Sequence, residues 1–333
     1  MTANGNFKRK VRARAARTGE SYTTALRHFA PTPPGGAVPA TKSIRIAVAQ
    51  STVPGDPRDA DELRSAGRDI RRLMREAHRA GARLVHFPEG TTCSPDKHVM
   101  SIHGPDDVGP SDWDRFAWDV LRQELQQTAA LARELSLWTV VGAVHRLTPP
   151  HRPHNSLYVI SDRGEVATRY DERMLSNTKL SFMYTPGATP VTFEVDGVRF
   201  GCLLGMEVHF PELFLEYERL DVDGVLFSTI GSPSPDNLGI FATEAQANAG
   251  TYAYWVSFAV TARDSANAPS GVISPQARWL ARCPTGGDPA LAVADLDDSA
   301  ENHARPWRRT ARDGIYDPHI ISDDPRSEAR NAF

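Results

Sequence analysis

From Ser43 onward the chain alternates between two hydrophobic rhythms. Short β-rich runs such as SIRIAVAQ and ARLVHFPEG are continuous enough in Val, Ile, Ala and Leu to read as buried strands. Between them, Ala60 to Ala80 places Leu63, Ile70, Leu73, Met74 and Ala77 at three-to-four spacing, which predicts an amphipathic helix. Residues 112–136 repeat that pattern with Trp113, Phe116, Val120, Leu121, Leu125, Leu131 and Leu135. LWTVVGAVHRL predicts a third strand. HNSLYVISDRGEVATRY predicts a hairpin turning at Asp162-Arg163-Gly164, and TFEVDGVRFGCLLGMEV a second, turning at Asp196-Gly197. DGVLFSTI, a helix over Phe241 to Gly250, the strand YAYWVSFAV and a last hairpin in SGVISPQARWLARC complete the series. From about Asp295 the chain turns charged and is expected to wrap over the surface. Strands alternating with helices imply a largely parallel sheet with covered faces, and the hairpins make it mixed.

The first residues follow neither rhythm. Lys8, Arg9, Lys10, Arg12, Arg14, Arg17 and Arg27 crowd the stretch Phe7 to Phe29, with Glu20 as its single acid. Residues 30–43 are rich in Pro and Gly. The expected organisation is a basic helical extension over 1–29, a linker over 30–43 and one main domain over 44–333. The arm is a candidate contact for nucleic acid or an acidic surface, against the plainer reading of a solvated charged appendage. The whole chain carries 38 Lys and Arg against 41 Asp and Glu, so overall charge does not imply a nucleic-acid partner. Three cysteines without a CxxC pair argue against a disulfide framework and against structural zinc, and fit a cytoplasmic setting. No apolar run is long enough to span a membrane.

Six segments, in order, resemble the nitrilase superfamily of carbon–nitrogen hydrolases. They are IAVAQ, FPEG, HNSLYVISDRGEVATRYDERML, VRFGCLLGMEVHFPEL, TEAQANAGTYAYWV and RPWRRTARDGIY, and the resemblance runs from about Ile44 to Tyr316. It implies an α/β fold, a four-layer αββα sandwich that pairs into a homodimer or larger homo-oligomer. It also implies chemistry on non-peptide C–N bonds through a thioester, without a cofactor. Glu89 matches the family's general base. The family's lysine falls on Glu172 and its nucleophilic cysteine on Gly205. A second family glutamate usually lies in the stretch matched by KLSFMYTPG, which has none.

Each departure has a physical weight. Glycine supplies no nucleophile, although it accepts a strained turn. Lysine to glutamate reverses a charge that, at about 4 Å and an effective dielectric near 20, is worth roughly 4 kcal/mol, so an oxyanion would be repelled. Arg173 is adjacent, but strand neighbours point to opposite faces. Lys179 lies in a loop and is the other candidate cation. Cys202 lies three residues upstream of Gly205 in the strand, about 10 Å along it and on the opposite face, and reads as core. Cys93 sits four residues past Glu89 on an expected loop. Glu207 reads as structural support near the elbow. His209 is expected one strand repeat beyond it, on the same face, as a hydrogen-bonded edge group. Glu89, Glu172, Glu207 and His209 are ligand types suited to a divalent cation, but no ligand spacing supports a metal site.

Two readings of function stay open at this point. One is a non-hydrolytic homologue that binds or scaffolds, with an acidic pocket favouring a cationic or amine-bearing small molecule. The other is an enzyme acting on an amide, carbamoyl or nitrile C–N bond, through a Glu89/Glu172 carboxylate pair or a displaced cysteine.

Overall fold

The computed structural model describes residues 8, 9, 11–13, 42–231, 239–297 and 304–328. The chain divides into two compact units, Met1–Thr41 and Lys42–Phe333. In the first, the described residues are helical. The rest of the basic arm and nearly all of the linker lie outside the described residues.

The second unit is a sandwich of two six-stranded mixed sheets. One sheet has the order β12-β1-β2-β3-β4-β5. Its strands are β1 (Ser43–Gln50), β2 (Leu84–His86), β3 (Trp138–His145), β4 (His154–Ile160), β5 (Val166–Asp171) and β12 (Ala290–Asp297). The other has the order β11-β10-β9-β8-β7-β6. It contains β6 (Thr192–Val195), β7 (Val198–Leu204), β8 (Gly224–Ser228), β9 (Trp255–Ala259), β10 (Gly271–Ile273) and β11 (Trp279–Arg282). Each has a parallel centre, β1-β2-β3 and β7-β8-β9, with antiparallel strands outside it.

The centres are parallel because helices carry the crossovers. Helix α1 (Ala60–Arg79) connects β1 to β2, and α2 (Trp118–Leu135) precedes β3. Asp59 caps α1 by accepting from the backbone N–H groups of Asp61 and Glu62. Ile70, Leu73, Met74 and Ala77 of α1, with Leu131 and Ala132 of α2, close over Ala47, Val85 and Val141 on the outer face of the first sheet. On the second sheet, α3 (Pro211–Arg219) and α4 (Ile240–Tyr252) contribute Phe214, Tyr217, Ala245 and Ala249 to the main core. That core also fills the space between the sheets, where Ile46, Val48, Leu84 and Val140 face the side of the second sheet that carries Phe200, Cys202 and Leu226.

Two polar contacts cross that apolar layer. His86 of β2 is fully buried, with Nε2 2.7 Å from the Ser228 hydroxyl and Nδ1 2.8 Å from that of Ser257. Ser228 donates its single proton to the Phe87 carbonyl at 2.9 Å. Its oxygen therefore accepts from His86 Nε2–H, and Nδ1 accepts from Ser257.

The strand and helix pattern differs from the sequence reading in three places. Ala290–Asp297, which was not among the expected strands, forms the edge strand β12 and pairs antiparallel with all of β1, whereas the charged tail beyond it lies on the surface as expected, its helix Ala304–Arg312 having no buried residue. The chain is extended there because every residue of ALAVADLD pairs with β1, from Ser43 opposite Asp297 to Gln50 opposite Ala290. Residues 112–136 break into a 3-10 turn at Trp113–Arg115 and the helix proper from Trp118. The strand carrying Cys202 stops at Leu204, so Glu207 and His209 sit in a 3-10 turn, Gly205–His209, rather than at alternate strand positions.

Candidate active site

The site lies where strand ends from the two sheets meet. β2 runs into Pro88 and Glu89, and Gly90 follows with a φ of 61°. That turn rests on Gly142 of β3, where an added Cβ would lie 2.4 Å from the Pro88 carbonyl oxygen. The Thr91 hydroxyl donates to the same carbonyl at 2.6 Å, and the Thr92 N–H donates to the Gly142 carbonyl at 3.0 Å. Glu89 is thus fixed pointing inward, 2% exposed.

Glu172 follows β5 directly. Its N–H donates to the Asn155 carbonyl at 2.9 Å, and its own carbonyl accepts from Gly187 at 2.8 Å. Both backbone groups are therefore pinned, and the side chain is buried. The loop between these two anchor points contains a π-helical turn, Lys179–Met183, closed by the Tyr184 N–H donating to the Lys179 carbonyl at 2.8 Å. Trp113 Nε1–H donates to the Met183 carbonyl at 3.0 Å and holds the turn in place.

The turn delivers the Lys179 ammonium between the two carboxylates. It donates to Glu89 Oε1 and, at 2.7 Å, to Glu172 Oε2. Asn155 Nδ2 bridges the same two oxygens at 2.8 and 2.6 Å. The charge reversal at position 172 is therefore compensated locally, and the repulsion expected from the sequence is offset by Lys179. Burial pushes the Glu172 carboxyl up to about 8; Lys179 opposes the rise, and Glu89 and Glu207 add to it. Burial opposes the charge on Lys179, but the two carboxylates override it and hold the ammonium above its ordinary range.

Gly205 faces this cluster from the end of β7. Its φ of 50° is left-handed backbone, easy for glycine and strained for other residues. A Cβ at this position would lie 2.9 Å from Glu172 Oε1, 3.1 Å from Glu89 Oε2 and 3.2 Å from Lys179 Nζ. Both of those carboxylate oxygens are buried without a hydrogen-bond partner. The elbow is held from behind by Glu207, which accepts from Leu204 N–H and Arg173 N–H, each at 2.7 Å, and from the Tyr170 hydroxyl.

The remaining candidates lie elsewhere. Arg173 turns to Glu216 at 2.7 Å and to the Tyr170 hydroxyl at 3.1 Å. His209 Nδ1 lies 2.5 Å from Glu244 Oε2. Cys202 is buried in the main core. Cys93 is buried in an apolar cluster with Leu63, Phe116, Met183 and Tyr184. Burial pushes both thiols up, away from the nucleophilic thiolate. Among the described residues no group of His, Cys, Asp and Glu is arranged to hold a metal ion. Asn155 belongs to the HNSLYVI segment of the sequence, which does not by itself mark it as a site residue. Its signal was its place on a strand next to the one ending at Glu172.

The carbon–nitrogen hydrolase profile matches residues 45–305, most of the chain. The chain belongs to the carbon–nitrogen hydrolase family. Two Mycobacterium tuberculosis proteins named as hydrolases, from strains CDC 1551 and H37Rv, are each 28% identical over 276 residues, covering 76% of this chain and 89% of theirs. Among solved structures, an amidase of the nitrilase superfamily from Nesterenkonia sp. AN1, in a cysteine-to-alanine mutant, superposes with a TM-score of 0.60 at 19% identity. That match covers 83% of this chain and all of the other. The same mutant in complex with butyramide gives 0.59 at 20% identity, covering 83% and 99%. A further form of that amidase carries the acetamide moiety of fluoroacetamide on its active-site cysteine, and gives 0.60 at 19% identity with the same coverage. These likenesses establish the fold of this carbon–nitrogen hydrolase homologue.

Proposed function

We propose that this family member binds a small amide- or amine-bearing molecule without forming a covalent intermediate, as a non-hydrolytic homologue. The observation that carries this reading is the bare backbone of Gly205 beside Glu89, Glu172 and Lys179. A thioester needs a sulfur within reach of a base and a cation. Cys93 and Cys202 are enclosed in apolar clusters instead. The two unpartnered carboxylate oxygens supply acceptors for ligand N–H groups, and the Nesterenkonia amidase mutant provides butyramide as a probe. Fluoroacetamide, which marks the cysteine of that amidase, is the direct test. The expected result is an unchanged intact mass of the native protein and no ammonia released from butyramide. An adduct on Cys93 or Cys202 would overturn the reading.

A second reading is favoured by the same unpartnered oxygens: Glu89 activates a water that attacks the C–N substrate directly. It predicts ammonia release without any adduct. An activity that survives Glu89→Gln would eliminate it.

A further inference from the structure

A lysine ammonium has three protons to donate. Lys179 directs two of them at Glu89 Oε1 and Glu172 Oε2. Among the described residues no acceptor takes the third. Its nitrogen lies 3.2 Å from the point a Cβ of residue 205 would occupy, and the side chain is 15% exposed. The partners of this ammonium are more deeply enclosed, with the Glu89 and Glu172 side chains 3% and 0% exposed. Their outer oxygens, Glu89 Oε2 and Glu172 Oε1, have no partner and lie about as close to the same point. One cationic donor and two carboxylate oxygens therefore converge over the Gly205 backbone.

We infer that Lys179 is the ligand-facing cation of this site and Glu172 its fixed hydrogen-bond partner, so that the Lys–Glu pair beside the elbow is preserved with its ends exchanged along the chain. The inference rests on the ligand-binding reading above and deepens it. A glutamate stands where the family resemblance leads one to expect lysine, and a lysine stands in the stretch where it leads one to expect glutamate. The local inventory of two acids and one base is unchanged by the exchange. A strand-end residue with both backbone groups pinned cannot withdraw, which suits a fixed hydrogen-bond partner. A residue on a π-helical turn is carried by a loop whose shape can accommodate the longer reach, and π-turns recur at functional positions. The seat accepts a group whose oxygen takes the Lys179 proton and whose N–H or O–H protons go to the two carboxylate oxygens. A neutral carboxamide or urea end has that pattern.

The test places a reporter at the elbow. In full-length Gly205→Cys, the new thiol is alkylated with iodoacetamide at pH 6.5, and the site of modification is mapped by mass spectrometry. A cation beside a thiol lowers its pKa, and one unit is about a tenfold change in thiolate. Alkylation at 205 is expected to be at least about tenfold faster in Gly205→Cys than in Gly205→Cys/Lys179→Met. It is expected to recover in Gly205→Cys/Glu172→Lys/Lys179→Glu, where the ends are exchanged back. Equal rates with and without Lys179, or no recovery on re-exchange, overturn the inference. A measurement that needs no cysteine accompanies it, because the elbow is tight. In the Gly205 chain, Glu172→Lys and Lys179→Glu each lower the melting temperature, and the double exchange is expected to recover more than half of the summed loss. Simple additivity of the two losses overturns the inference. An adduct of fluoroacetamide on the native protein would instead sink the non-covalent reading and leave this test standing.

Discussion

The Tyr170 hydroxyl lies 2.7 Å from both carboxylate oxygens of Glu207. Tyr170 is on the last turn-side stretch of β5, and Glu207 is in the 3-10 turn after β7, so this contact ties the two sheets together behind the site. Glu207 also accepts from the N–H groups of Leu204, Arg173 and Met174. It thereby fixes the backbone on both sides of Gly205 and at the start of the Lys179 loop. Removing this acceptor leaves several buried donors unsatisfied, each worth about 1–3 kcal/mol. Glu207→Ala is expected to lose at least about 3 kcal/mol in urea denaturation. Tyr170→Phe, which keeps the backbone donors paired, should lose roughly 1–2 kcal/mol. A Glu207→Ala loss no larger than that of Tyr170→Phe would show that the carboxylate is not the organising acceptor.

Glu172 makes stability depend on pH in a defined direction. Its folded-state pKa, about 8, lies above the ordinary 4.5. Its contribution is fully present below 4.5 and is lost as pH rises from there toward 8. Glu172→Gln stays neutral and can still accept from Lys179 and Asn155. The wild-type protein should therefore lose stability relative to Glu172→Gln between pH 5 and 8, by at most about 1.4 kcal/mol per pH unit. Denaturation curves at stepped pH read this difference. A constant difference across that range would show that Glu172 does not titrate there.

Gly142 positions Glu89 by having no side chain. An added methyl would meet the Pro88 carbonyl oxygen at 2.4 Å and the Gly90 nitrogen at 2.5 Å, both backbone atoms. Gly142→Ala should cost about 1–3 kcal/mol through overpacking. It should also displace the Glu89 turn, so that butyramide binding weakens more than stability alone accounts for. Calorimetric titration of folded protein measures the binding, and an unchanged affinity would separate this glycine from the site.

The sequence carried the frame of this site and missed its wiring. Glu89, Glu172 and Gly205 each end a strand or follow one, and their neighbours FPEG, YDERML and GCLLGMEV mark those ends locally. The strand β12 was missed because its inward side chains are mostly alanine and the stretch ends in Asp295 and Asp297, so its alternation carries little apolar contrast. Lys179 and Asn155 were harder for a different reason. Lys179 meets Glu89 across 90 residues and Asn155 meets it across 66, so no local spacing records either contact. The KLSFMYTPG loop lacks the expected glutamate and offers Lys179 as a candidate cation, but only the folded turn shows that it reaches both Glu89 and Glu172. Glu207 and His209 read as strand neighbours because the left-handed φ at Gly205, which ends the strand, leaves no mark beyond a glycine.

His86 lies at the centre of the sandwich and links its acid stability to a single imidazole. Burial pushes its pKa down to about 3 from the ordinary 6.5. Both ring nitrogens are already engaged, Nε2 as donor to Ser228 and Nδ1 as acceptor from Ser257. Protonation would put a second hydrogen on Nδ1 facing the Ser257 oxygen and place a charge between two apolar sheets. The neutral ring's contribution is fully present above pH 6.5 and is lost as pH falls from there toward 3. His86→Leu removes the titrating group but leaves Ser257 without its acceptor, so it should be about 1–2 kcal/mol less stable at pH 7.5. That deficit is expected to shrink steadily between pH 6.5 and 4.5 as the wild-type protein meets its own protonation cost, by up to about 1.4 kcal/mol per unit. Urea denaturation of both proteins over that range measures it, and a deficit that stays fixed would mean the ring keeps its ordinary pKa in the fold.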